Sequence, residues 1–203
     1  MTSFVFCSEL NLGGYDFPDI EVKAGEAVAI CGQSGSGKSM FLRCLAGLVD
    51  EYSGRCTRAD VTQAFIFQEA GVLENYSVFD NLRLASSFAV PKSEEEIDDA
   101  LRRFGVLDAK NVQGGNLNRV AKKMVQYARA DLLEPKILYI ESPYDNILLD
   151  QRRMIRTWLA NFISVQKGAL LFSTVYSGGW EYLPARIINL EGGNKTAGTI
   201  ISV

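Results

Sequence analysis

The chain has 203 residues, 47% of them hydrophobic and 22% charged, with a net charge of −3 and no histidine. That length predicts one large domain, or one core with a small inserted lobe. The acidic balance leaves no basic footprint for nucleic acid, and no apolar run approaches the roughly 20 residues that cross a bilayer. Met1-Thr2-Ser3-Phe4-Val5-Phe6 lacks the basic region of a secretion signal. The expectation is a soluble, cytoplasmic chain with no direct membrane insertion and no nucleic-acid partner. Cys7, Cys31, Cys44 and Cys56 form no C-x-x-C pair and are expected to be reduced thiols.

In chain order, residues 3–31 read as short strands with turns at Gly13-Gly14 and Ala24-Gly25. Ala27-Val28-Ala29-Ile30-Cys31 is short and apolar, as a buried parallel strand should be. Gly32-Gln33-Ser34-Gly35-Ser36-Gly37-Lys38-Ser39 follows and matches G-x-x-x-x-G-K-[ST]. Glycines let the backbone N–H groups turn inward on a phosphate, and the N-terminus of the next helix adds attraction for anions. Lys38 is expected to reach the β- and γ-phosphate oxygens, and the Ser39 hydroxyl to ligate Mg²⁺. Met40, Phe41, Leu42, Cys44, Leu45 and Leu48 predict a helix buried on most faces. A Gly/Ser-rich turn could match the pattern by chance, but a strand before and a helix after argue against that.

Residues 62–67 form the next expected strand, ending at Gln68, and residues 69–115 switch to polar turns and helical stretches. Ser93 and Glu96 make a capping box, after which Ile97, Leu101 and Phe104 share one face. A helix is expected over 118–134 and a buried strand over 137–140, ending in Glu141. A helix over 150–165 and strands over 169–173, 186–190 and 199–203 complete the chain. Strands alternating with helices predict an α/β fold with a mainly parallel sheet.

Several segments, in order, resemble the nucleotide-binding subunit of ABC transporters. These are the loop and helix with the turn Ser53-Gly54-Arg55, then Phe65-Ile66-Phe67-Gln68 and Ser77-Val78-Phe79-Asp80-Asn81-Leu82. Tyr127-Ala128-Arg129-Ala130, the stretch from Leu133 to Pro143, and Arg186 to Gly193 continue the match. The resemblance implies a single domain over 1–203: a P-loop NTPase core, an antiparallel β subdomain at the N-terminus, and a helical lobe over about 69–132. It also implies ATP and Mg²⁺ as cofactors, with residues 32–40 and Gln68 against the nucleotide, and Ser39, Gln68 and Glu141 near the metal. The implied partners are a membrane permease, contacted through the helical lobe and the Gln68 loop, and a second ATPase subunit, in a homodimer or heterodimer. The implied location is peripheral to the inner membrane. The stretch around Gln68 leans toward the branch that handles lipids and organic solvents.

The chain departs from the family's pattern in several places. Leu117-Asn118-Arg119-Val120-Ala121 takes the place of the Leu-Ser-Gly-Gly-Gln signature; Gly114-Gly115-Asn116 just upstream offers a second alignment. Glu141 takes an aspartate's place, Ser142 that of the glutamate that activates water, and Thr174, beside Val175 and Tyr176, that of the switch histidine. Leu149-Asp150 matches the D-loop only with two residues inserted. Tyr15 is a candidate to stack on adenine, with a surface turn role equally open. The phosphate- and metal-binding groups are thus present while the water-activating groups are not. The expectation is an ATP-binding subunit with weak or absent hydrolysis. The alternative is an active transporter ATPase completed by unrecognised residues or by a partner subunit. A GTPase would need N-K-x-D, and Asn194-Lys195-Thr196-Ala197 lacks the aspartate. A small-molecule kinase leaves the Phe67-Gln68 and Glu134-Pro135-Lys136 segments unexplained.

Overall fold

A computed structural model describes residues 3–69, 71–145, 147–175, 182–190 and 199–201. Tyr176, the segment 191–198 and the last two residues named above lie outside them. Two sheets carry the fold. In the first, β1 (Ser3–Leu12) pairs antiparallel with β2 (Tyr15–Asp16), β3 (Ile20–Lys23) and β5 (Ser53–Arg58). The second contains β4 (Ala27–Gly32), β6 (Gln63–Ile66), β7 (Ile137–Glu141), β8 (Ala169–Thr174), β9 (Ala185–Leu190) and β10 (Thr199–Ile201). Its strand order is β10-β9-β4-β8-β7-β6, parallel throughout except for β10.

The central strands are buried on both faces, which is why they read as unbroken apolar runs. On β4, Val28 and Ile30 pack with Phe41, Leu42 and Leu45 of α1 (Lys38–Leu45), while Ala27 and Ala29 pack into the opposite core. That opposite core gathers α2 (Val78–Ser87), α3 (Glu94–Arg103), α4 (Arg119–Leu132) and α5 (Leu149–Ser164). Three of these helices, α2 to α4, lie between β6 and β7 in the chain. The Ser93–Glu96 capping box forms, and Ile97, Leu101 and Phe104 are buried as expected.

Three expectations are corrected. Helix α1 stops at Leu45, and Leu48 is 50% exposed. Gly47, with φ 75°, closes the helix: Leu48 N–H donates to Arg43 O at 2.9 Å and Gly47 N–H to Cys44 O at 3.0 Å, a Schellman motif. Ser53-Gly54-Arg55 is not only a turn but the start of β5, an exposed edge strand whose polar residues give no alternating apolar signal. Finally, Cys7 and Cys56 are joined in a disulfide, because the β1–β5 register sets them directly opposite with Cα atoms 4.1 Å apart. Cys31 and Cys44 are buried thiols, as expected.

Candidate functional site

The loop between β4 and α1 takes a shape that glycine permits. Gly35 and Gly37 have φ of 83° and 87°, and Gly32 lies so close to Leu190 O that an added Cβ would sit 2.5 Å away. Lys38 Nζ folds back on the loop, donating to Gln33 O at 2.5 Å and Ser36 Oγ at 3.5 Å. Burial lowers the Lys38 pKa, and the neighbouring Cys31 opposes that shift; burial pushes the Cys31 thiol up to about 11.

The loop forms one wall of a cavity of about 1020 Å³. Ser34, Gly35, Gly37, Lys38, Ser39 and Met40 line it, with Gln68, Ser142 and Thr174 also on its surface. Gly32, Gln33 and Ser36, expected against the nucleotide, are not among the residues that line it. Ser142, at φ 45°, donates its N–H to Ser173 O at 3.0 Å. No carboxylate stands at 142 and no imidazole at 174. Tyr15 also lines the cavity, its hydroxyl 3.3 Å from Gly35 O.

Glu141 does not line the cavity. It is 1% exposed, and Arg43 closes it: Nε to Oε1 at 2.7 Å and an NH2 group to Oε2 at 3.1 Å. The Gln68 backbone N–H also donates to Oε2, at 3.1 Å. The expected acid of the metal site is therefore already paired by a cation one turn beyond Ser39. Buried Lys123 lies just behind, donating to Phe67 O at 2.8 Å and Glu141 O at 2.9 Å. Burial lowers its pKa to about 8 against the pull of Asp145 and Glu141.

Some wall residues were not anticipated from sequence. Asp145 lines the cavity, and so do Arg152, Arg153 and Arg156 of α5. The i, i+1, i+4 spacing of the arginines was the available signal, since it puts them on one helix side. Arg156 lies over the Tyr182 ring at 4.3 Å, and Arg152 over the Tyr144 ring at 5.8 Å. Away from the cavity, Asn118 caps α4 by accepting from Ala121 N–H at 2.8 Å. Gly114 and Gly115 are packed under residues 72–76, with their N–H groups on Tyr76 O and Glu74 O.

The donor set fits a nucleotide with a divalent cation. Loop N–H groups, an ammonium and three arginines suit an anion, and a serine hydroxyl with an amide oxygen suits a hard cation. Fold and loop together define a P-loop NTPase. The ABC transporter family model matches residues 16–145, and the chain belongs to that family. It is 32% identical over 197 residues to the "Probable sulfate/thiosulfate import ATP-binding protein CysA" of Chlorella vulgaris, covering 88% of this chain and 81% of that one. It is 36% identical over 126 residues to the "Aliphatic sulfonates import ATP-binding protein SsuB 2" of Pseudomonas savastanoi pv. phaseolicola, covering 62% and 46%. Against several other relatives it spans about half their length, 53% in the Yersinia pestis sulfate/thiosulfate import protein. A dimeric ATP-binding cassette, solved in a post-hydrolysis state with ADP and Pi, superposes with TM-score 0.85 at 19% identity over 98% of both chains. ATP-binding subunits of this family bind ATP, dimerise and work with membrane permeases. Among the described residues, no helix is long and apolar enough to cross a membrane.

Proposed function

We propose that this chain is the ATP-binding subunit of an import-type ABC transporter, acting at the inner face of the membrane through a permease and turning ATP over slowly by itself. The convergence of Lys38, Ser39 and Gln68 on one cavity carries this reading. In it, the loop N–H groups and Lys38 hold the β- and γ-phosphates. Ser39 and Gln68 would hold Mg²⁺, which would supply charge neutralisation for the phosphates. Tyr15, beside the loop, takes the base. The helices α2 to α4 form the lobe that meets the permease.

The names of the relatives support a sulfur oxyanion or sulfonate as the cargo, rather than lipids or organic solvents. Slow turnover follows from Ser142: a neutral hydroxyl does not accept a proton from water, and a positioned base is worth about 10²–10⁴ in rate. Leu148, Leu149 and Val175 are 65%, 72% and 53% exposed, and the last two line the cavity, which supports a second subunit closing over it.

The test is titration with a non-hydrolysable ATP analogue and Mg²⁺. Binding that disappears in Lys38→Ala is expected. No binding by the wild-type chain, or binding indifferent to Lys38→Ala, overturns the reading.

A further inference from the structure

Gln68 and Asp145 meet in the cavity wall: Gln68 Nε2 donates to Asp145 Oδ2 at 2.8 Å. They come from different strands, Gln68 two residues beyond β6 and Asp145 four beyond β7, and both line the cavity that Lys38 and Ser39 line. A primary amide has two unlike ends, while an ionised carboxylate only accepts hydrogen bonds. Asp145 therefore selects the NH2 end of Gln68, and Oε1 is the end left for another contact. That oxygen is the atom a hard divalent cation takes; the NH2 group is no ligand for it. The Gln68 main chain is fixed as well, by its N–H on the buried Glu141 carboxylate. Glu141 itself is occupied by Arg43 and stands outside the cavity lining.

We infer that Asp145 is a positioning residue that holds the Gln68 amide with its oxygen turned toward the cation of a bound nucleotide. Nothing in the loop motif calls for an acid at 145. The inference rests on the nucleotide reading above. It adds that the cation's hold depends on a carboxylate that does not itself touch it.

The measurement is Mn²⁺ affinity by electron paramagnetic resonance, on full chain saturated with a non-hydrolysable ATP analogue, alongside analogue affinity in EDTA. Removing an outer partner of a metal ligand typically costs 10–100-fold in metal affinity. Asp145→Ala is expected to weaken Mn²⁺ binding about tenfold, with metal-free nucleotide affinity within about twofold and an unchanged unfolding midpoint. Asp145→Asn, isosteric but able to donate, is expected to fall in the same direction. Asp145→Glu, still acceptor-only, is expected to keep most of the affinity. Wild-type Mn²⁺ affinity in Asp145→Ala, or equal losses in the Glu and Ala variants, overturns the inference. A wild-type chain that binds nucleotide but no Mn²⁺ overturns it alone; one that binds no nucleotide overturns the underlying reading too.

Discussion

At the scale of single residues, the charges behind the cavity are matched closely enough that removing one has a calculable effect. Glu141 is buried with both carboxylate oxygens engaged, and among the described residues the cation hydrogen-bonded to that carboxylate is Arg43, which is 45% exposed. Arg43→Met leaves that carboxylate buried without its cation. Orphaning a buried charge costs about 3–5 kcal/mol, and the half-exposed partner puts this case near the lower end, about 3 kcal/mol by urea denaturation. Lys123 gives a pH dependence of known sign. Its folded pKa, about 8, lies below the ordinary lysine value of 10.5. Between those values the unfolded chain binds the extra proton, so stability rises with pH. The neutral amine keeps two N–H donors for its two carbonyls, so its hydrogen bonds survive the loss of charge. Wild type minus Lys123→Met in urea midpoint should therefore increase from pH 7.5 to 9.5; a flat or falling difference contradicts the burial account. The place of Lys38 and Ser39 on the cavity wall was legible in eight consecutive residues, because the motif is local. Arg43 facing Glu141, 98 positions away, was not, since that pairing exists only once α1 packs beneath β7.

At the scale of elements, the ends of helices follow from local chemistry. Asn118, which the family resemblance aligns with a signature serine, caps α4 by accepting from Ala121 N–H. Asn118→Ala should cost about 1 kcal/mol of stability, whereas Asn118→Ser should cost little. Equal losses in both would show that the side chain does something other than cap. Buried strands and capped helices were readable because each carries its own periodicity or cap. The β5 strand was not: its Ser-Gly-Arg-Cys-Thr-Arg run is polar and at an edge, and only pairing with β1 makes it a strand. The same pairing explains the Cys7–Cys56 link, which no spacing rule over 49 residues could supply.

At the scale of the whole molecule, the proposed function separates the groups that would hold phosphate from those that would activate water. Ser142 and Thr174 line the same cavity as Lys38, so the slow turnover proposed above is argued from their chemistry rather than from access. Restoring a carboxylate by Ser142→Glu tests whether that deficit is the only one. A base acts at full strength only in a closed, water-poor site. In the dimer that the family resemblance implies, a second copy would close the site with its 117–121 segment, and there Arg119 and Val120, in the first turn of α4, align with the signature's glycines. Side chains there oppose the close backbone approach that glycine allows. A homodimer would carry this obstacle in both sites. Steady-state hydrolysis in Ser142→Glu is therefore expected to rise less than about tenfold, well short of the 10²–10⁴ a positioned base supplies. A rise of a hundredfold or more, abolished by Lys38→Ala, would mean that the 117–121 segment closes the site despite its side chains, and that the missing base alone keeps turnover slow.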